Sequence, residues 1–399
     1  MFALSYLQAC RAGRRIATQV VSVFLAAFLV AGCGPQDATT PPLPRLNIDL
    51  SQTTVSGISS GAYMAGQMQL AHGDIIVGAA LIAGGPFGCA ESAFSGLVPG
   101  GGQVFFNASR AISGCMLGGL QMWGVSNPAR LARRAADLAK TGRIAALSHT
   151  ARDRIYLFAG QRDRMVRPAI VRAAGAFYRA IGVPSDNIAL VDNVEAGHAF
   201  ITMDSGHTCA TTKAPFVVDC DYDQAGSLLT HLYDGLVAPT ASEAGSEATS
   251  ESGSEAGAGQ WLVFDQGFAT DGLKRASMAG KGVVYIPPGC AQGAAAGRGA
   301  LGRQTTGQRA CRVHVAYHGC GQNRTMAGDA FVRQTGFSRW ADANDIVVLF
   351  PQVAASALNT KGCWDWWGYT GADYLTKDAP QIVAVYRMLL ALAGSADRA

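Results

Sequence analysis

The sequence predicts an α/β fold, a largely parallel sheet with helices packed on it. Three observations predict it. Short apolar or β-branched runs alternate with helix-patterned segments along most of the 399 residues. One such run, Thr53-Thr54-Val55, leads straight into Gly57-Ile58-Ser59-Ser60-Gly61, a G-x-S-x-G pattern in which a serine is lifted on a sharp strand-to-helix turn. Composition is 49% hydrophobic and only 15% charged, ample for a large core.

Residues 1–32 read as an export signal. Arg11, Arg14 and Arg15 make a basic start, Ile16 to Val30 is apolar, and Leu29-Val30-Ala31-Gly32-Cys33 resembles a lipobox. Thr18, Gln19 and Ser22 interrupt the apolar run, which argues against a transmembrane anchor. The expectation is a lipoprotein of the outer membrane, periplasmic or at the cell surface, lipidated on Cys33, or a secreted protein if the lipobox is not used. Membrane contact would then run through this anchor. The formal charge of +4 includes those three arginines, so the mature chain carries about +1 and offers nucleic acid no basic face.

Eight cysteines remain besides Cys10 and Cys33, an even number in an exported chain, which points to disulfides. Sequential pairing is the simplest arrangement: Cys89–Cys115, Cys209–Cys220, Cys290–Cys311 and Cys320–Cys363. No tight cysteine or histidine cluster of the kind that holds a metal occurs, and no cofactor is implied.

The elements follow in order. Residues 33–46, with Pro35, Pro41, Pro42 and Pro44, form a spacer. Residues 47–238 begin with the elbow strand and a small-residue helix from Ala62 to Leu70. Ile75 to Ile82 is continuous enough in apolar residues to be a strand buried on both faces. Residues 88–120 are rich in Gly and Ser and read as a stapled loop. Pro128 to Lys140 is an amphipathic helix. A strand from Arg154 to Ala159 runs into Gly160-Gln161-Arg162-Asp163, and Ile170, Val171, Ala174, Phe177 and Ile181 keep helical spacing. Ile188 to Val191 is a strand before Glu195-Ala196-Gly197-His198, and Leu228 to Leu236 is a helix. Residues 239–259 repeat Ser-Glu every four positions without an apolar face, so they form an acidic linker. In residues 260–397, Val283 to Ile286, Val313 to Tyr317 and Ile346 to Phe350 are strands. Phe331 to Asn344 and residues 380–393 are helices.

A nucleophilic serine needs a base, a group that orients the base, and donors for the oxyanion. The order Ser, Asp, His is filled by Ser59, Asp163 and His198, the last two each just past a strand. Asp163 could instead cap a helix, and His207 is the rival base. His314 lies inside a strand and reads as a satisfied core or surface residue. The oxyanion donors expected are the N–H groups of Ser60 and Cys320, the latter from His318-Gly319-Cys320-Gly321-Gln322, an HG-type loop. This loop follows the nucleophile in sequence, whereas the usual α/β-hydrolase order places it before. Reading residues 260–397 first restores that order, so the chain is expected to be a circularly permuted α/β-hydrolase, a single disulfide-stapled catalytic domain whose old termini the linker joins.

Taken together, Gly-Ile-Ser-Ser-Gly-Ala-Tyr-Met, Ala-Gly-Gly-Pro-Phe-Gly-Cys-Ala, Ala-Gly-His-Ala-Phe, Tyr-His-Gly-Cys-Gly-Gln and Cys-Trp-Asp-Trp-Trp-Gly resemble the permuted, extracellular-type poly(3-hydroxybutyrate) depolymerases over about residues 50–392. The resemblance implies the roles just given and the pairing Cys320–Cys363. It implies a serine esterase acting on poly(3-hydroxybutyrate) or its oligomers through an acyl-enzyme. Trp364, Trp366 and Trp367 are the expected aromatic wall for an aliphatic polyester, their alternative being core. Polymer-degrading members of the family usually add a binding domain, which this sequence is not expected to carry. The alternatives are a feruloyl or acetyl-xylan esterase and an inactive polyester-binding lipoprotein.

Overall fold

The computed structural model describes residues 40–92, 102–117, 125–240, 259–295 and 310–395. The signal segment, Cys33 and nearly all of the acidic linker lie outside the described residues.

Eleven strands are described: β1 (Ile48–Ile58), β2 (Ile76–Ile82), β3 (Arg154–Phe158), β4 (Ile188–Val191), β5 (Phe200–Thr202), β6 (His207–Thr208), β7 (Val217–Asp219), β8 (Gln260–Asp265), β9 (Lys281–Ile286), β10 (Cys311–Tyr317) and β11 (Ile346–Phe350). The helices of eight residues or more are α1 (Ser60–Ala71), α2 (Gly102–Cys115), α3 (Pro128–Lys140), α4 (Pro168–Ala180), α5 (Gln224–Leu232), α6 (Pro288–Ala295), α7 (Phe337–Asn344) and α8 (Pro380–Leu392). Eight strands make one sheet in the order β4-β3-β2-β1-β10-β11-β9-β8. All neighbours are parallel except β9, which is antiparallel to β8 and β11. A small parallel sheet, β5-β7-β6, sits apart from it.

The strands at the centre are buried on both faces, which is why they read as unbroken apolar runs. All five residues of β11 are buried, and so are six of seven in β2. The helix behind the elbow, α1, is buried at all twelve positions. Apart from Gln67 and Gln69, themselves buried, its residues are small or apolar, so no amphipathic stripe marks it. Removing one of its large side chains, Met68 for example, would cost about 2–5 kcal/mol.

His314, read from sequence as core or surface, is core. It is fully buried on β10, with Nδ1 at 2.7 Å from Thr54 Oγ1 and Nε2 at 2.7 Å from Ser56 Oγ across the β1 pairing. Burial drives its pKa down to about 3, so the ring stays neutral between two hydroxyls.

Two expected elements differ. Residues 88–120 contain α2 rather than only loop; Asn107, Ala111 and Cys115 recur at four-residue spacing and are buried, a periodicity that the surrounding glycines and serines mask. The helix expected over 331–344 is two short helices, because Gly336 adopts φ 80° and breaks it. All four disulfides join the cysteines expected: Cys89–Cys115, Cys209–Cys220, Cys290–Cys311 and Cys320–Cys363.

Candidate active site

Ser59 stands between β1 and α1 with φ 56° and ψ −120°, a left-handed strain for a residue with a Cβ. The turn is held by the Ser59 N–H donating to the Ile82 carbonyl at 2.9 Å and by Ala62 and Tyr63 donating to the Ser59 carbonyl. The two glycines of the motif are steric requirements. A Cβ on Gly57 would lie 2.2 Å from the Gly61 oxygen, and one on Gly61 would lie 2.3 Å from the Tyr317 oxygen. The elbow therefore fits against the end of β10, where the HG loop begins. Ser60 opens α1, so its N–H is among those a helix start leaves without an intrahelical acceptor.

Asp163 is buried past the end of β3, and its Oδ2 lies 2.7 Å from Nδ1 of His198, also buried. A carboxylate only accepts, so Nδ1 carries the ring proton and Nε2 keeps its lone pair. The loops bearing the two residues are built together. Gln161 donates to the Val194 carbonyl at 2.9 Å and Arg162 to the Ala196 carbonyl at 3.0 Å, and a Cβ on Gly160 would meet that Ala196 oxygen at 2.3 Å. The small sheet carries the histidine: the His198 N–H donates to Thr212 Oγ1 at 2.8 Å, and Gly197 donates to the carbonyl of Cys209, half of a disulfide to Cys220. His207 is elsewhere, with Nε2 against the Ala214 carbonyl at 3.0 Å.

The HG loop is tied down by groups beyond those picked out from sequence. Gln322 Oε1 accepts from the Gly319 N–H at 2.7 Å, and its Nε2 donates to the Pro215 and Phe216 carbonyls. His318 Nε2 accepts from the Val353 N–H at 3.2 Å while Nδ1 donates to the Gly319 carbonyl at 2.8 Å. Burial lowers the His318 pKa to about 4, which suits this neutral, one-donor one-acceptor use. Gly321 donates to the Lys361 carbonyl, and Cys320 is bonded to Cys363. Both Gln322 and His318 belong to the conspicuous His-Gly-Cys-Gly-Gln string; what the string does not tell is which partners they meet.

Ser59, His198 and Cys320 line one cleft, whose apolar walls include Tyr63, Met116, Met165, Val166, Phe216 and Trp366. The tryptophans divide. Trp366 lines the cleft and stacks on Tyr63, rings 4.2 Å apart and 8° from parallel. Trp367 is half-buried, edge-on to Trp366 at 5.8 Å. Trp364 is corrected to core: it is 0% exposed, packed against Tyr317 and His318, with no face for a ligand.

The sheet order and the elbow between β1 and α1 define an α/β-hydrolase. The chain is 33% identical over 365 residues to the poly(3-hydroxybutyrate) depolymerase of Delftia acidovorans, covering 91% of this chain and 64% of that protein. To the polyhydroxybutyrate depolymerase of Talaromyces funiculosus it is 29% identical over 363 residues, 87% of this chain and 91% of the other. The crystal structure of PHB depolymerase from Penicillium funiculosum superposes with a TM-score of 0.71 at 25% identity, over 89% of this chain and 99% of that one. A serine-to-alanine form of a PHB depolymerase, complexed with an R3HB trimer, superposes equally well. No family profile matches the chain. The chain is thus similar in sequence and fold to poly(3-hydroxybutyrate) depolymerases. The chain spans 64% of the length of the Delftia relative.

Proposed function

We propose that this protein is a serine esterase that hydrolyses poly(3-hydroxybutyrate) or its oligomers. The observation that carries the reading is the 2.7 Å Asp163–His198 pair, whose histidine lines one cleft with a strained Ser59. Ser59 Oγ attacks the ester carbonyl and His198 Nε2 takes its proton; Asp163 holds the imidazolium that forms. The oxyanion sits between the N–H groups of Ser60 and Cys320. The tetrahedral adduct collapses, the alcohol leaves with the proton from His198, and water then hydrolyses the acyl-enzyme by the same route. The methyl and methylene groups of a polyester suit the Met116, Met165, Phe216 and Trp366 walls. The R3HB trimer bound by a related structure supports this substrate class.

The permutation belongs to the same reading. Leu46, ahead of β1, donates to the Leu392 carbonyl at the end of α8, so α8 ends where the elbow strand begins. Val237 and Gly259, at either end of the acidic linker, both bond to α7, through Asn344 and Asp342. These bonds support reading residues 47–238 and 260–397 as two parts of one domain whose old termini the acidic linker joins. Four disulfides fit folding in an oxidising compartment, and Cys33 is the proposed lipid attachment point.

The test is hydrolysis of suspended amorphous poly(3-hydroxybutyrate) and of the soluble trimer by the disulfide-intact chain from residue 34 onward, beside Ser59→Ala. Product from the parent alone is expected. Absence of Ser59-dependent product from both substrates would overturn the reading.

A further inference from the structure

The turn beneath Trp366 is built on a charge that the proposed chemistry does not use. Asp365 is 1% exposed. Its Oδ1 accepts the N–H groups of Trp367, Gly368 and Tyr369 at 3.3, 2.7 and 3.0 Å. Its Oδ2 accepts the Thr370 N–H at 2.9 Å and the Thr370 hydroxyl at 2.6 Å. The backbone of Asp365 is fixed as well: its N–H donates to Gln381 Oε1 at 2.8 Å, and its carbonyl accepts Gln67 Nε2, from α1, at 2.9 Å. Gln381 and Asn359 both donate to the Tyr369 hydroxyl, and Asn359 also donates to the carbonyl of Cys363, the disulfide partner of Cys320. One polar network therefore joins the elbow helix, the oxyanion loop and the tryptophan turn.

Buried N–H groups need acceptors, and a neutral side chain offers fewer and weaker ones than a carboxylate. Without Asp365, the four N–H groups of residues 367–370 have no acceptor in this turn, and its course is no longer determined. Trp366 is the next residue, and its indole reaches the face of Tyr63 only while that course holds. Tyr63 itself is fixed, its hydroxyl donating to the Cys115 carbonyl at 2.6 Å.

Resting on the esterase reading above, we propose that Asp365 is a positioning residue for substrate binding: its carboxylate gathers residues 367–370 so that Trp366 stands against Tyr63 and faces the polyester chain. It acts through Trp366 and touches no reacting atom, so it governs affinity for chains long enough to reach the indole.

The test is steady-state hydrolysis of the (R)-3-hydroxybutyrate trimer by the parent, Asp365→Asn, Thr370→Val and Thr370→Ser, with tryptophan fluorescence on each. Asp365→Asn sets an amide donor against the Thr370 donors and is expected to raise KM roughly tenfold, with kcat within about twofold. Thr370→Val, which removes one donor, is expected to raise KM by about threefold, and Thr370→Ser to restore the parent value. Fluorescence of the two impaired variants shifts to the red as Trp366 leaves Tyr63. An unchanged KM, or a fall in kcat at constant KM, would overturn the proposal. If Asp365→Asn does not fold, the Thr370 pair decides, and equal KM for Val and Ser overturns it. These outcomes differ from failure of the esterase reading, in which the parent itself leaves the trimer intact and both ideas fall.

Discussion

Asp163 divides its carboxylate between two partners: Oδ2 meets His198 Nδ1 at 2.7 Å, while Oδ1 accepts the N–H groups of Met165 and Val166 at 2.8 and 2.9 Å. An Asp just past a strand does bond backbone, as its sequence position implied, but the bonds fix its own loop; the N-cap of α4 is Arg167. One oxygen anchors the acid, and the other is left aimed at the base.

Asp163→Asn is therefore expected to fold, because an amide oxygen can still accept from Met165 and Val166. Its amide N–H would face Nδ1 of His198 and force the proton to Nε2, the wrong tautomer for a base. Loss of kcat on the order of 10³–10⁴ is expected, with KM nearly unchanged. A melting temperature close to the parent's is the necessary control, and a variant retaining a tenth of parent kcat would remove Asp163 from the triad.

The elbow makes a harsher prediction. In Gly61→Ala the new Cβ would sit 2.3 Å from the Tyr317 oxygen and 2.5 Å from the His318 oxygen. Both are backbone atoms and cannot swing aside, so β10 must shift at the very point where the oxyanion loop starts. Destabilisation of at least about 1–3 kcal/mol is expected, with esterase activity lost beyond what stability explains. Urea unfolding and residual kcat at a temperature where the variant is folded separate the two effects.

How far the site could be read from the sequence follows from the range of its interactions. Ser59, Gly57 and Gly61 were legible because the elbow is local: five consecutive residues carry its steric rule. Asp163 and His198 were legible because each follows a strand whose apolar run is plain, and the strand ends deliver both to one edge of the sheet. Trp364 was not separable from Trp366. They stand two residues apart in an irregular turn, and which of them reaches the cleft depends on how Gln67 and Gln381, remote in the chain, hold the backbone of Asp365 between them. The small sheet β5-β7-β6 was missed since its strands are only two or three residues long. Helix α2 hid behind a glycine- and serine-rich composition for the reason given above.

The Cys320–Cys363 bond closes a 43-residue separation and ties the oxyanion loop to the segment bearing the tryptophans. Replacing both cysteines by serine keeps the backbone N–H of residue 320 but frees the loop to move. Stability is expected to fall by about 2–4 kcal/mol, and kcat by roughly tenfold as one oxyanion donor loses its fixed position. The Cys209–Cys220 double serine variant should instead disturb the histidine loop. Comparing kcat and melting temperature of the two variants checks this, and a parent-like kcat in the Cys320–Cys363 variant would show that the bond does not hold the loop in place.

In the pH dependence of stability, the largest histidine and aspartate pKa shifts set three histidines against one aspartate; burial also lowers His231 and raises Asp365, in the same opposed senses. His72, His314 and His318 are buried, and burial lowers their pKa values to about 4, 3 and 4. Unfolded histidine titrates near about 6.5, so below that pH the unfolded chain binds protons that the folded chain refuses. Their stabilisation is present above pH 6.5 and is lost as pH falls. Asp153 works the other way: fully buried beside Gln69 Nε2, it is raised by burial to about 7, against about 3.9 unfolded. Its stabilisation is complete below about pH 4 and disappears as pH rises through about 7. Near pH 5 the three histidines outweigh the one aspartate by about two protons, a slope of roughly 2.7 kcal/mol per pH unit in favour of higher pH. The melting temperature is thus expected to climb from pH 4.5 to about 7 and then to level off towards pH 8. Asp153→Asn, which cannot ionise and keeps an acceptor for Gln69, should climb more steeply between about pH 5 and 7. Melts of both proteins at pH 5, 6.5 and 8 check this, and a parent curve flat across that range would show that the buried histidines do not set the acid limit.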